Sequence, residues 1–169
     1  LFTTGLPDKI LMDTVISIER GFHVLTLERS LGDKKRTFQF YNTHLEVIPS
    51  YSKPQADELP TEASELLTDA TIQVLIGDMN ETPSAGADTI FKAGGFIDTY
   101  AQAGKDDKGY TCCMGGQTIV PVAAAIAPAS RIDYIYARHI TAVTSSQVLF
   151  ADGFTYQGDS LFYPSDHAM

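Results

Sequence analysis

Short polar motifs follow apolar, strand-like runs at several points of this 169-residue chain. Four of them carry imidazole, carboxylate or carboxamide groups: residues 42–45 (Asn-Thr-His-Leu), 77–80 (Gly-Asp-Met-Asn), 131–134 (Arg-Ile-Asp-Tyr) and 165–167 (Ser-Asp-His). Such groups can hold a divalent metal, orient a water molecule and neutralise a phosphoryl oxyanion. Because catalytic residues concentrate on loops carried by a rigid scaffold, the repetition predicts a site where strands end.

The Gly-Asp-Met-Asn motif follows the β-branched run 72–76, which is typical of a strand buried on both faces. If the chain stays extended, Asp78 and Asn80 point to the same side. A carboxylate can orient or deprotonate water, and a carboxamide can donate to an oxyanion. An Asx turn before Pro83 explains the tetrad equally well when it is taken alone.

His44 and Asn42 share one face of the strand predicted over residues 37–45. A lone histidine near a strand end is more often a structural residue than a catalytic one. This strand, however, comes just before the Asp78 strand in the chain. Consecutive elements are commonly neighbours in space, so we expect His44 and Asp78 to share a cleft.

Asp133 and the Asp166-His167 pair complete the set. A nearby carboxylate fixes the tautomer of an imidazole and favours its charged form, which suits contact with a phosphate oxygen or a leaving group. Asp133 lies in the apolar run 132–135 and would be a costly buried charge without such a partner.

The order of the four motifs resembles the endonuclease/exonuclease/phosphatase superfamily. This group includes enzymes similar to deoxyribonuclease I, apurinic endonucleases, inositol-polyphosphate phosphatases and bacterial sphingomyelinases. The similarity extends from Arg20-Gly21 to the chain end, and residues 55–59 and 110–113 resemble uncharacterised bacterial members. The resemblance implies an α/β fold, as part of a four-layer α/β sandwich with mixed, largely antiparallel sheets. It also implies a metal-dependent, nuclease-like hydrolase that cleaves phosphodiester or phosphomonoester bonds.

The resemblance also implies a role for each matching residue. Asp78 would activate the attacking water, and Asn80 would support it through the transition state. Asp133 would orient His167, while a Mg²⁺ or Mn²⁺ ion would neutralise charge during in-line attack. The implied catalytic residues are His44, Asp78, Asn80, Asp133 and His167. The implied phosphate contacts are Asn42, His44, Asn80 and His167. The implied metal ligands are Asp166 and Asp78.

One part of the family pattern has no counterpart in this sequence. An early asparagine and the principal metal-ligand glutamate of the family lie on strands that precede every motif found here. Glu19 and Glu28 do not stand in that context. Since the sequence opens on Leu1 and stops just after a motif, we expect residues 1–169 to be a single domain truncated at both ends. The resemblance therefore implies weak metal binding and low activity for the chain as given.

Composition limits the classes of partner. Hydrophobic residues make up 44% and charged residues 20%, as in ordinary globular proteins. The 12 basic against 21 acidic residues give a net charge of −9, which argues against loose nucleic-acid binding. A bound cation can reverse the local field, so phosphoester substrates stay possible. The acidity favours a small molecule or a lipid headgroup over nucleic acid. No apolar run reaches the ~20 residues of a membrane helix, and no obligate protein partner is indicated.

The secondary structure predicted from apolar periodicity alternates strands with few helices. Strands are predicted over 15–19, 22–28, 37–45, 72–76, 131–137 and 142–150. Helices are predicted over 56–70, with a kink or fresh start at Pro60, and over 85–93. Loops are predicted from Pro49 onward and over 104–109 and 152–164. Cys112 and Cys113 are predicted to be free and buried, because adjacent cysteines cannot form an ordinary cross-link without strain.

Two other functions compete with this interpretation. Residues 158–161 read Gly-Asp-Ser-Leu, which matches a class of esterases, but in that class the nucleophile lies near the N-terminus. A non-catalytic binding module with the same fold is the second competitor. It is disfavoured because all four motifs keep their acids and imidazoles.

Overall fold

The computed structural model describes residues 9–11, 14–16, 20–65, 72–104, 107–114, 127–149, 154–155, 161–163 and 165–168. In chain order the elements are β1 (Lys9–Leu11), β2 (Thr14–Ile16), β3 (Phe22–Leu31), β4 (Lys34–His44), α1 (Pro49–Glu65), β5 (Ile72–Asp78), α2 (Gly86–Ala93), β6 (Ile97–Asp98), α3 (Thr99–Gln102), β7 (Asp133–Arg138), β8 (Phe154–Thr155) and β9 (Leu161–Phe162).

Five strands form one mixed sheet in the order β3-β4-β5-β7-β6. The β4–β5 pair is parallel, and the other three pairs are antiparallel. Two short antiparallel pairs, β1–β2 and β8–β9, stand outside this sheet. The mixed, largely antiparallel α/β fold expected from the sequence is confirmed, and the four-layer arrangement stays a prediction.

The two longer helices contribute to the hydrophobic core of the sheet. Tyr41, Leu75 and Tyr136 are buried in one cluster with Leu59 of α1 and Phe91 of α2. The rings of Phe91 and Tyr136 meet edge to face, with centroids 5.2 Å apart. Such aromatic contacts add to the gain from apolar burial, so the packing of the helices stabilises the three central strands.

The register of these strands brings their polar ends to one edge. His44 is the partner of Asp78 across the parallel β4–β5 pair, and Asp78 is the partner of Asp133 across the antiparallel β5–β7 pair. Gly77 makes this approach possible. Its φ is 143°, and a Cβ added to it would lie 1.8 Å from the backbone oxygen of Thr43. No residue with a side chain fits there, so the glycine is required by close backbone contact.

Several predicted elements differ from the structure. Residues 142–149 form no strand, because β-branched and apolar residues make a strand only where a backbone partner pairs with them. The loop predicted from Pro49 is instead the first turn of α1, a position where proline's missing N–H costs nothing. The helix then passes Pro60 without a new start, and predicted helical residues 66–70 lie outside the described residues.

Two further segments carry more structure than predicted. The loop predicted over 152–164 contains the β8–β9 pair, and the short elements β6 and α3 were not predicted. The elements β6 and α3 follow Gly94-Gly95, where the sequence indicated only that α2 ends. Among the described residues, no helix has both the length and the apolar character needed to cross a membrane.

Candidate active site

Three strands each deliver one ionisable side chain to the same edge of the sheet. His44 ends β4, Asp78 ends β5 and Asp133 begins β7. The Nε2 atom of His44 lies 3.5 Å from Oδ2 of Asp78. His44 and Asp78 from consecutive strands therefore lie close together as predicted, and Asp133 joins them from the antiparallel neighbour.

Asn80 closes one side of this group. Its backbone N–H donates to Oδ1 of Asp78 at 2.7 Å, which is the Asx-type hydrogen bond considered from the sequence. Its amide nitrogen donates to the backbone oxygen of Leu45 at 2.8 Å and lies 3.0 Å from Nε2 of His44. The turn and the functional arrangement are thus compatible, because the turn aims the carboxamide at the histidine.

His167 reaches the group from the C-terminal segment. Its Nδ1 is 2.8 Å from Oδ2 of Asp133, and its Nε2 is 4.0 Å from Oδ2 of Asp78. A carboxylate at Nδ1 fixes the ring and leaves Nε2 facing the other polar groups. The five predicted catalytic side chains accordingly gather in one place.

Burial and neighbouring groups raise the pKa values of Asp78 and of His167. Partial burial raises the pKa of the Asp78 carboxyl; the Asn80 backbone N–H opposes this rise, and Asp133 adds to it. Partial burial alone would lower the pKa of His167, but its hydrogen bond to Asp133 raises the pKa overall. Asp78 is thereby a better proton acceptor than an ordinary aspartate, and His167 is a more persistent cation.

The same edge holds a set of atoms able to bind a metal. One ligand atom each from Asp78, Asp133 and His167 lies within 4.8 Å of the other two. Carboxylate oxygens suit Mg²⁺ and Mn²⁺, so the donor set fits the expected ion. Among the described residues the Asp166 carboxylate is not part of this group, and its role as a ligand stays a prediction.

Asn42 lies beside the group, two residues before His44 on the same strand. It is exposed, and it lines a pocket of about 380 Å³ together with His44. It also lines a second pocket of about 420 Å³ together with Asp133. Asn42 therefore borders the five-residue group, and its contact with phosphate stays a prediction.

The sequence profile described as the Endonuclease/Exonuclease/phosphatase family matches residues 6–167. The chain belongs to this family. No curated protein is significantly similar to the chain in sequence.

Several solved structures share the fold. An endonuclease/exonuclease/phosphatase family protein from Bacteroides thetaiotaomicron is 22% identical, with a TM-score of 0.61, and the match covers 80% of this chain and 50% of that one. A mannosyl-6-phosphatase from Bacteroides thetaiotaomicron VPI-5482 is 21% identical (TM-score 0.56), with 79% and 49% covered. D. rerio TDP2 complexed with a single-strand DNA product is 19% identical (TM-score 0.52), with 87% and 59% covered. The chain spans about half the length of the first two.

Thr111 positions two members of the site and was not recognised from the sequence. Its Oγ1 accepts hydrogen bonds from the backbone N–H groups of Ile132 and Asp133, both at 3.2 Å. Its backbone oxygen accepts from the N–H of Ala168 at 2.6 Å. Thr111 therefore ties the start of β7 to the segment that carries His167. The Tyr-Thr-Cys-Cys motif at 110–113 was the available signal, but it predicts no contact.

Arg131 belongs to the Arg-Ile-Asp-Tyr motif but makes a structural ion pair. Its two terminal nitrogens donate to Asp98 at 2.9 and 2.6 Å, and both side chains are almost fully buried. The guanidinium also lies over the ring of Tyr134, 4.6 Å from the centroid. Since Asp98 neutralises this arginine, it fixes β6 against β7 and leaves phosphate contact to other residues.

Glu81 links both long helices to the loop after Asn80. Its buried carboxylate accepts from the hydroxyl of Ser52 in α1 and from the N–H of Ala87 in α2, the latter at 2.8 Å. A carboxylate at a helix N-terminus satisfies an otherwise unpaired donor. Its position directly after Asn80 was visible in the sequence, but its partners were not.

The prediction of free cysteines is wrong. Cys112 and Cys113 are joined by a disulfide that closes a small ring through the single peptide bond between them, so the strain expected from their adjacency does not prevent the cross-link. Cys112 is buried, whereas Cys113 is exposed. Of the Gly-Asp-Ser-Leu string at 158–161, residues 158–160 lie outside the described residues.

Proposed function

We propose that this protein is a divalent-metal-dependent phosphoesterase that cleaves phosphodiester or phosphomonoester bonds by in-line attack of water. The observation that carries the proposal is the convergence of His44, Asp78, Asn80, Asp133 and His167 from three strands and the C-terminal segment. A set of two carboxylates, two imidazoles and one carboxamide at one sheet edge matches the needs of phosphoryl transfer to water.

Asp78 is the residue proposed to handle the attacking water. Its raised pKa and its hydrogen bond from the Asn80 N–H support this role, because one oxygen is held while the other faces His44 and His167. A carboxylate so fixed can orient a water molecule and accept its proton. The proton would leave the water as its oxygen bonds to phosphorus, while the opposite bond from phosphorus to the ester oxygen breaks and that oxygen takes a proton from solvent as it departs.

Three polar side chains are proposed to face the phosphoryl oxygens, with His44 and Asn80 exchanging their mutual contact for the substrate. His44 and the Asn80 amide lie 3.0 Å apart on one side of Asp78, and His167 lies on the other. His167 keeps its orientation through Asp133, which acts as a positioning residue. Asn42, at the rim, would contact an outer oxygen of the substrate.

A bound Mg²⁺ or Mn²⁺ would supply Lewis-acid neutralisation of the phosphoryl charge. Asp78, with Asp133 or the predicted ligand Asp166, would hold it. The close approach of the Asp78, Asp133 and His167 ligand atoms supports a cation there, because two carboxylates at short range otherwise repel.

The substrate class is proposed from charge. The net charge of −9 disfavours a polyanion and supports a small or lipid phosphoester. Among structures of similar fold, one is named a mannosyl-6-phosphatase and another holds a DNA product, so both classes belong in the test.

The test expresses the complete open reading frame and assays it with Mg²⁺ or Mn²⁺. The panel contains bis-p-nitrophenyl phosphate, sphingomyelin and plasmid DNA. We expect the protein to turn over at least one of these substrates. EDTA should abolish that turnover, and added metal should restore it. Metal-independent turnover that a serine-directed phosphonate blocks would instead favour the esterase. Binding of phosphoesters without turnover would favour the non-catalytic module.

Asp78→Ala and His167→Ala should each lower kcat by about 10²- to 10⁴-fold, the usual contribution of an acid–base group. Neither change should unfold the protein, since both side chains lie at the sheet edge and not in the core. Asp33→Ala, in the turn at the far end of β4, is the matched carboxylate control and should keep the wild-type rate. Wild-type rates in both soluble site variants would contradict the assignment.

A further inference from the structure

Two sulfur atoms lie next to the active-site histidine. Cys112 pairs with His167 through an isolated antiparallel β-bridge. One ligand atom each from Cys112, Cys113 and His167 lies within 4.8 Å of the other two. The proposed function uses neither sulfur, although a backbone contact places them beside a residue that it needs.

The surroundings of these three residues leave the site open to solvent and fix which nitrogen of His167 can bind a metal. Cys113 is exposed, so a reductant or a cation can approach from solvent. The Nδ1 atom of His167 is held by Asp133 at 2.8 Å, so Nε2 is the nitrogen that can carry a metal without breaking that bond. A histidine whose second nitrogen is bound to a carboxylate is the usual arrangement of a metal-binding imidazole.

We propose that the reduced protein binds one thiophilic divalent cation, such as Zn²⁺ or Cd²⁺, through Cys112, Cys113 and His167. The Cys112–Cys113 disulfide abolishes this site. The inference that such a cation inhibits the enzyme rests on the proposed function, whereas the cation site itself does not.

The change between the two states is a thiol–disulfide exchange. A dithiol reductant gives two electrons and two protons to the Cys112–Cys113 bond and becomes a disulfide itself. The S–S bond breaks, and two thiols form. Each thiol then releases its proton as its sulfur binds the cation, so metal uptake liberates two protons.

After reduction, short side-chain movements would bring the three ligand atoms to the spacing of a tetrahedral ion. Bond lengths of about 2.3 Å to sulfur and 2.0 Å to nitrogen place zinc ligands roughly 3.3–3.8 Å apart. Reduction frees the two bonded sulfurs to separate to that spacing, and the His167 nitrogen, within 4.8 Å of both, needs an approach of about 1.5 Å at most by the same bond lengths. Three protein ligands leave a fourth position for water.

This site differs in selectivity from the carboxylate group that it adjoins. Thiolates prefer zinc and cadmium, whereas Asp78 and Asp133 offer oxygens that suit magnesium. Both sites include His167, and a cation on its Nε2 occupies the nitrogen assigned to the phosphoryl oxygen. A thiophilic cation should therefore inhibit the reduced enzyme more strongly than the oxidised enzyme at the same Mg²⁺ concentration.

The experiment titrates Cd²⁺ into the full-length protein, reduced or oxidised, without substrate. The ultraviolet charge-transfer band of a cadmium–thiolate bond is the readout. We expect the band to saturate at one equivalent in the reduced protein and to be absent in the oxidised protein. Cys113→Ser should weaken binding by more than the roughly 10- to 100-fold that loss of an outer partner costs. This exposed position can be changed without opening the core.

His167→Ala tests the third ligand and should weaken Cd²⁺ binding comparably. The matched control is His139→Asn, at the opposite end of β7 from Asp133, which should bind Cd²⁺ like the wild type. A band that His167→Ala leaves unchanged, or no band in the reduced protein, would overturn the site. Because the band needs neither Mg²⁺ nor substrate, a protein inactive on every phosphoester could still bind Cd²⁺ as expected. The two proposals therefore fail independently.

Discussion

Asn80 carries a backbone role and a side-chain role at once. Its φ of 53° lies in the left-handed region, which asparagine tolerates better than most residues with a side chain. Its amide meanwhile joins the backbone of Leu45 to His44. A single substitution to alanine changes both properties, so its effect on rate alone cannot assign either.

A pair of substitutions separates these roles. Asn80→Ala should lose about 1 kcal/mol of unfolding free energy more than Asn80→Gly, because only glycine adopts positive φ without cost. Both variants lack the amide, and both should lose activity by about 10²-fold or more, as expected for an oxyanion donor. Urea unfolding and kcat on the best substrate provide the two measurements. Activity restored by glycine would show that the turn alone matters.

The residues of the candidate active site were largely predictable from the sequence. The residues that position them through hydrogen bonds were not. His44, Asp78 and Asp133 stand at strand ends, and strand periodicity reveals such positions. The partners of Thr111 and Glu81 are set by tertiary contacts between segments distant in the chain. No local pattern contains that information.

Gly77 shows how one element depends on another at this site. The parallel β4–β5 pair approaches so closely that a Cβ on Gly77 would fall within bonding distance of the Thr43 carbonyl. The contact is with backbone, which cannot rotate away as a side chain would. The spacing between His44 and Asp78 is thus set by the absence of a side chain one residue earlier.

Gly77→Ala should therefore cost more than ~3 kcal/mol of unfolding free energy, beyond the usual range for overpacking. Gly32→Ala is the matched control. Its φ is also positive, at 60°, but an added Cβ meets nothing within 4 Å, so only the ~1–2 kcal/mol backbone cost applies. Urea titration of both variants measures the difference. Equal losses would show that the β4–β5 pair separates easily.

Helices and strands were predicted correctly where the local sequence contains a signal for the element or for its end. The run 72–76 and the stop at Gly94-Gly95 contain their own signals, and β5 and α2 match them closely. Residues 142–149 were predicted as a strand but form none, since pairing depends on another segment. At Pro49 the signal was ambiguous, because proline opens helices as well as loops.

Across the whole molecule, long-range electrostatics and short-range contacts act on a phosphate ligand in opposite directions. The net charge of −9 repels polyanions at distances up to the screening length, about 10 Å at 0.1 M salt. Arg131 is neutralised by Asp98, so it adds no cationic field at the site. Attraction for phosphate therefore depends on short-range donors and a bound cation.

Binding of a short labelled oligonucleotide should consequently show an inverted dependence on salt. Proteins that neutralise many phosphates lose roughly 10³- to 10⁵-fold in affinity between 50 and 200 mM salt, because binding releases counterions. For this acidic chain, lowering the salt over that range should not strengthen binding, since weaker screening exposes repulsion and not attraction. Fluorescence anisotropy without divalent metal measures the slope, and repeating it with Mg²⁺ tests whether the cation creates the attraction. A steep gain in affinity at low salt without metal would reveal a cationic nucleic-acid surface and would shift the proposed substrate towards nucleic acid.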